Sequence, residues 1–79
     1  MRKSVHTRAY KELLERLVAA RHVAGLSQQE LARKLTRPQS FAAKYEGGER
    51  RIDVVELLEI ATVLGADAIK IIRAVTKAM

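Results

Sequence analysis

Residues 26–46 constrain this chain more than any other stretch, because they start one helix, stop it and start a second within a few residues. Ser27 and Glu30 form a Ser-x-x-Glu pattern, in which each side chain satisfies the other's backbone N–H. Leu26 and Leu31 flank the pair as a hydrophobic staple. Leu31, Ala32 and Leu35 then fall on one helical face. Thr36-Arg37-Pro38 makes a tight turn. Proline drives its predecessor out of helical conformation and is accepted at a helix's first position, so it fixes the start of the next helix. That helix, Gln39-Ser-Phe-Ala-Ala-Lys-Tyr-Glu46, ends at Gly47-Gly48.

Local signals outside this segment give three more helices. Tyr10, Leu13, Leu14, Leu17, Val18 and Arg21 repeat at helical spacing. They predict a first helix from about Thr7 to Gly25, the residue best able to take a left-handed closing conformation. Asp53 with Glu56, stapled by Ile52 and Leu57, starts a fourth helix that shows Val54, Leu57, Leu58, Ala61 and Leu64 and closes at Gly65. Asp67 caps a fifth, carrying Ile69, Ile71, Ile72 and Val75. The expectation is an all-α, compact five-helix bundle forming a single domain over residues 1–79. Residues 1–5 form a basic arm, 27–46 the two-helix unit, and 67–78 a helix available for dimerisation.

Composition excludes several classes. Seventy-nine residues support only one core. With no cysteine, neither a disulfide nor a thiolate metal site can supplement it, and a reducing cytoplasm is the expected location. Hydrophobic residues are 48% of the chain and aromatics only 4%, so the core is expected to be aliphatic. No apolar run approaches the roughly 20 residues that span a bilayer, and the charged start Met1-Arg-Lys-Ser-Val-His-Thr-Arg lacks the apolar stretch of a signal peptide. His6 and His22 are far apart, with no clustered carboxylates, which argues against a metal site. No Ser, His and Asp stand at catalytic spacing and no glycine-rich loop follows a strand. The chain is not expected to be an enzyme or to need a cofactor.

The net charge of +6 is unevenly placed. Residues 1–27 hold six Lys/Arg against two acids and residues 28–51 six against three, whereas residues 52–79 hold three against four. The basic excess coincides with the two-helix unit, which points to a polyanion partner. The outer face of the second helix of that unit carries Gln39, Ser40, Ala43 and Lys44. A long amide, a hydroxyl and a nearby lysine can read base edges in the major groove of double-stranded DNA while phosphate contacts fix the register. Arg37, Arg50 and Arg51 are phosphate anchors or solvated loop arginines. Phe41 has two readings: contact with a thymine methyl, or folding toward Tyr45 to fill space left by Ala42. Tyr45 is expected in the core with its hydroxyl at the rim.

Gly25-Leu-Ser-Gln-Gln-Glu-Leu-Ala, then Arg37-Pro-Gln-Ser-Phe, Lys44-Tyr-Glu-Gly-Gly-Glu-Arg-Arg and the helix between Asp53 and Gly65, resemble the Cro/phage-repressor (Xre-type) helix-turn-helix family over roughly residues 10 to 65. The resemblance implies a five-helix, lambda-repressor-like DNA-binding domain, usually dimeric, that regulates transcription. It implies that Gln28 holds a backbone phosphate and that Gln39 and Ser40 read bases. Phe41, Ala43 and Lys44 match the rest of the exposed stripe, and Arg21 and Glu46 match an internal ion pair. Ala42 stands where the pattern prefers a larger Val or Ile, and Phe41 where a small or polar residue is common.

The expected function is a sequence-specific transcriptional regulator, acting as repressor or controller, bound as a homodimer to a two-fold site. Ile69, Ile72, Val75 and Thr76 of the fifth helix are the expected dimer interface. So short a chain is expected to carry no separate ligand-sensing domain, leaving dimer concentration, a partner or proteolysis as its regulation. The alternatives are the antitoxin of a toxin pair, or a protein-interaction module using the same helices. An RNA-binding reading lacks the stacking aromatics such modules use.

Overall fold

The protein, described over residues 7–79 by a computed structural model, forms five helices: α1 (Arg8–Val23), α2 (Gln28–Lys34), α3 (Phe41–Glu46), α4 (Val54–Leu64) and α5 (Ala68–Lys77). The basic arm expected over residues 1–5, and His6, lie outside the described residues, among which no strand occurs.

Polar side chains just outside four of the helices set their starts. The Thr7 hydroxyl accepts from the Tyr10 N–H at 3.1 Å, and the Asp67 carboxylate accepts from the N–H groups of Ile69 and Lys70. Ser27 with Glu30, and Asp53 with Glu56, close both expected capping boxes in full. Each satisfied cap stabilises its helix by ~1 kcal/mol.

Helix α3 starts later than Pro38 alone predicts. Gln39 and Ser40 form a turn, closed by the Phe41 N–H donating to the Pro38 carbonyl at 2.9 Å, and helical geometry begins at Phe41. Ser40 supplies no side-chain cap. Six residues without a cap cannot hold a helix by propensity, so α3 depends on what it packs against.

Helices α1 to α4 end with the same paired bonds. The residue in the left-handed conformation donates to a carbonyl three residues back, and the next residue donates to one five back, as from Leu26 to Arg21 and from Arg37 to Ala32. Gly25, Gly48 and Gly65 fill the left-handed position of α1, α3 and α4, but in α2 it is Thr36 at φ 56°. A β-branched residue there carries backbone strain that glycine avoids.

The core is built around α1, which packs on α5, α3 and α4, while α2 packs on α3. Leu17, Leu31, Tyr45 and Ile60 are fully buried, and burying such a side chain contributes roughly 1.5–3 kcal/mol each. Ala42 is completely enclosed, and beside it the Phe41 ring lies 5.4 Å from that of Tyr45. Phe41 thus supplies the volume that the smaller Ala42 omits. The Tyr10 hydroxyl accepts from the Ile52 N–H at 3.1 Å, joining α1 to the loop before α4.

Two expected faces are corrected. In α4 the buried set is Glu56, Leu57, Ile60, Ala61 and Leu64, while Val54 and Leu58 are exposed. Leu57, Ile60, Ala61 and Leu64 recur at three- and four-residue spacing and form the inward stripe, with Glu56 buried beside it under its pairs with Arg37 and Arg50. In α5, Val75 lies four residues after the buried Ile71 and packs half-buried against the core. It therefore does not share the exposed side of Ile69, Ile72 and Thr76.

Candidate nucleic-acid interface

The relative placement of α2 and α3 is held by a buried polar network. Arg21 grips Glu46 with two bonds, Nε to Oε2 at 2.8 Å and Nη2 to Oε1 at 3.1 Å, and its Nη1 donates to the Leu26 carbonyl at 2.8 Å. Gln28 Nε2 donates to the same Glu46 Oε1 at 2.8 Å. Only 11% of the Arg21 side chain and 6% of the Glu46 side chain are exposed, so the pair is shielded from competing water. The hydrogen bond to Glu46 raises the Arg21 pKa above its ordinary range, against the opposing effect of burial. One carboxylate thus ties the last turn of α1, the first residue of α2 and the last residue of α3 together.

On this frame Gln39, Ser40, Ala43 and Lys44 are all exposed. Gln39 and Ser40 lie in the turn entering α3, and Ala43 and Lys44 follow one helical turn later, which keeps the four on one side. Lys44 pairs with no acid among the described residues. The stripe therefore presents an amide, a hydroxyl, a methyl and a free cation, all suited to base edges and phosphates.

Phe41, expected by one reading in that stripe, is not part of it. Its side chain is only 5% exposed and packs against Tyr45, because the helix turns position 41 toward the core. The Tyr45 hydroxyl is likewise inside rather than at the rim, with no hydrogen-bond partner among the described residues, and burial raises its pKa.

Two of the expected phosphate anchors, both partly exposed, are held by acids. Arg50 makes a two-point pair with Glu56, Nη1 to Oε1 at 3.0 Å and Nη2 to Oε2 at 2.8 Å, and also donates to the Arg51 carbonyl. Arg37 reaches Glu56 at 3.2 Å and Glu59 at 3.4 Å. Both guanidinium groups lie over the Phe41 ring, 4.9 Å and 5.1 Å from its centroid. A carboxylate already in a two-point pair competes directly with a phosphate for Arg50. Hydrogen bonds from Arg50, then the Asp53 N–H and the charge of Arg37, hold the Glu56 carboxyl down at about 2. Arg51 remains exposed, stacked 5.5 Å from the Tyr10 ring centroid.

Sequence reasoning missed two groups. Gln29 and Arg33 lie one turn apart on the outer face of α2 and, with Arg37 and Gln39, line a hollow of about 210 Å³ beside the stripe. Their four-residue spacing on a polar face was the available signal. The sequence shows Glu56 only as a cap, since nothing local indicates that Arg37, nineteen positions earlier, reaches it.

Among the described residues no cluster of His, Asp or Glu could hold a metal ion, and no helix is long and apolar enough to cross a membrane. The family model for the helix-turn-helix domain matches residues 12–70. Among solved structures, an XRE-family like protein from Pseudomonas syringae pv. tomato str. DC3000 is similar at 39% identity, with a TM-score of 0.84, covering 94% of this chain and 92% of that one. No curated protein matches the sequence. The family match takes in the Arg21–Glu46 lock and the stripe at the entry to α3, and the solved structure shares the five-helix architecture around them: the chain belongs to the Xre-type helix-turn-helix family.

Proposed function

We propose that this DNA-binding regulator reads a two-fold operator as a homodimer, with α3 in the major groove, and controls transcription in the cytoplasm by occupying that site. The observation that carries the reading is the stripe of Gln39, Ser40, Ala43 and Lys44, exposed along α3 and the turn that enters it, with α3 locked to α1 and α2. Gln39 and Ser40 contact bases, Lys44 contacts guanine or phosphate, and Gln28, Arg33 and Arg51 fix the phosphate backbone. The net charge of +6 supplies the sequence-independent part of the affinity.

Selection of binding sites from random duplexes tests this directly. An enriched site should bind about a thousandfold or more tighter than random duplex, and affinity should fall steeply between 50 mM and 200 mM salt. Equal binding to enriched and random duplex, or affinity indifferent to salt, overturns it.

A protein partner, such as the toxin of a toxin–antitoxin pair, is a second reading. It is favoured by an apolar groove of about 410 Å³ on the other side of α2, between Leu35 and the exposed Val55 and Leu58 of α4. Salt-insensitive capture of a partner without DNA binding would select that reading instead.

A further inference from the structure

The turn that carries Gln39 and Ser40 has no cap of its own, yet it is fixed at both ends by one residue. At its start, Arg37 pairs with Glu56 at 3.2 Å. At its end, the Phe41 ring is covered by the guanidinium groups of Arg37 and Arg50, and Glu56 holds Arg50 with two bonds. Glu56 is itself anchored by the first turn of α4, through the Asp53 N–H at 3.1 Å. A cation held over an aromatic face gains from desolvation, so the carboxylate and the ring reinforce each other in placing the two arginines.

We propose that Glu56, remote from the exposed stripe, is a positioning residue for base recognition: through Arg37, Arg50 and Phe41 it fixes the turn that presents Gln39 and Ser40. The assignment rests on the DNA-binding reading above and adds a determinant of specificity to it. It also changes the role of the two arginines. Glu56 and Glu59 carry two negative charges against their two positive ones, so the cluster is neutral and adds little to phosphate attraction. Arg37 and Arg50 contribute to selectivity rather than to bulk affinity.

The test uses Glu56→Gln in the full chain, because glutamine still accepts from the Asp53 N–H and preserves the capping box. The wild type and the variant are titrated against an enriched duplex and a random duplex over a range of salt, with helicity confirmed by circular dichroism. The folded variant should lose about tenfold in the ratio of specific to random affinity, the scale of one poorly placed base contact. Its random-duplex affinity should hold or rise, and its salt slope should steepen by about one, because Arg50 is released while Glu59 still pairs with Arg37. A residue that merely stabilises the fold lowers the melting temperature and leaves the ratio unchanged, and that result overturns the assignment.

Arg50→Gln, which leaves the capping box complete, gives a second reading and serves where Glu56→Gln does not fold. Its discrimination ratio should fall with the salt slope unchanged. A slope reduced by about one, with specific and random affinity weakened alike, makes Arg50 a phosphate contact and overturns the assignment. A wild type that does not discriminate between duplexes defeats the function itself. A wild type and variants that discriminate equally defeat only the role of Glu56.

Discussion

Gln28 Nε2 and Arg21 Nη2 donate to the same oxygen, Glu46 Oε1, at 2.8 Å and 3.1 Å. Gln28 is thereby oriented before any DNA arrives. An amide carries two N–H groups, so one remains for a phosphate oxygen at the start of α2. Gln39, by contrast, is exposed in the turn before α3, where an amide can pair with adenine.

The two glutamines should therefore respond differently to truncation. Gln39→Ala should cost ~1–3 kcal/mol of specific binding and relax discrimination at one or two base positions. Gln28→Ala should weaken enriched and random duplex about equally. Binding-site selection on both variants decides the matter, and identical preference profiles rule out these roles.

Glu46→Ala removes the acceptor for three part-buried donors, Arg21 Nε and Nη2 and Gln28 Nε2, and leaves Arg21, whose side chain is only 11% exposed, without its carboxylate. Breaking such a pair costs ~3–5 kcal/mol. In a domain of this size that should lower the melting temperature by more than 10 °C or so, with DNA binding lost as α3 loosens. A thermal melt indistinguishable from wild type contradicts the role of the pair as a lock.

Acid should weaken the fold through Glu56. Its carboxyl sits near 2 in the folded chain, well below the ordinary 4.5, so the folded state favours its ionised form. The contribution is complete above about pH 4.5 and is lost as pH falls toward 2. It amounts to something on the order of 2 kcal/mol, allowing for water around the partly exposed Arg50. Urea midpoints measured from pH 6 to pH 2.5 should fall more steeply for wild type than for Glu56→Gln. Parallel curves rule out this linkage.

Thr36 is the one described residue other than glycine with positive φ, and a β-branched side chain is poorly suited to that conformation. Thr36→Gly should relieve ~1–2 kcal/mol of strain while adding somewhat less in unfolded-state entropy. The net expectation is a rise of a few degrees in melting temperature with DNA preference unchanged. A lower melting temperature shows that the threonine stabilises the turn by another route.

What could be read from the sequence was mostly local. Capping boxes, glycine stops and 3.6-residue periodicity each involve neighbours within about five positions, and they give all five helices. The Thr36 turn was harder, because a left-handed threonine carries no glycine signal. The candidate site divides along the same line. Gln39, Ser40, Ala43 and Lys44 follow from one helical face, but the pairing of Arg50 depends on where Phe41 and Glu56 stand in three dimensions. Arginines in a charged loop look like phosphate anchors until the acid that holds them is located in three dimensions. The half-buried placement of Val75 has the same origin, since a helix made apolar on two sides does not state which side meets the core.

That ambiguity in α5 leads to the prediction about assembly. Ile71 is 6% exposed, whereas Ile69 and Ile72, on the other side of the helix with Thr76, are 59% and 40% exposed. Two large aliphatic side chains one helical turn apart form a patch that a symmetric copy can cover, since residues on a two-fold axis meet their own equivalents. To read a palindrome with half-sites centred ~10 bp apart, such a dimer should place its two copies of α3 about 34–36 Å apart. Val75 packs half-buried against the core, so Val75→Glu should disturb the fold, whereas Ile72→Glu should disturb only the association. Sedimentation of the free protein at tens of micromolar is expected to give a dimer, and Ile72→Glu a folded monomer with weaker operator binding. A wild-type monomer whose operator affinity is unaffected by Ile72→Glu assigns the pairing of half-sites to some other surface.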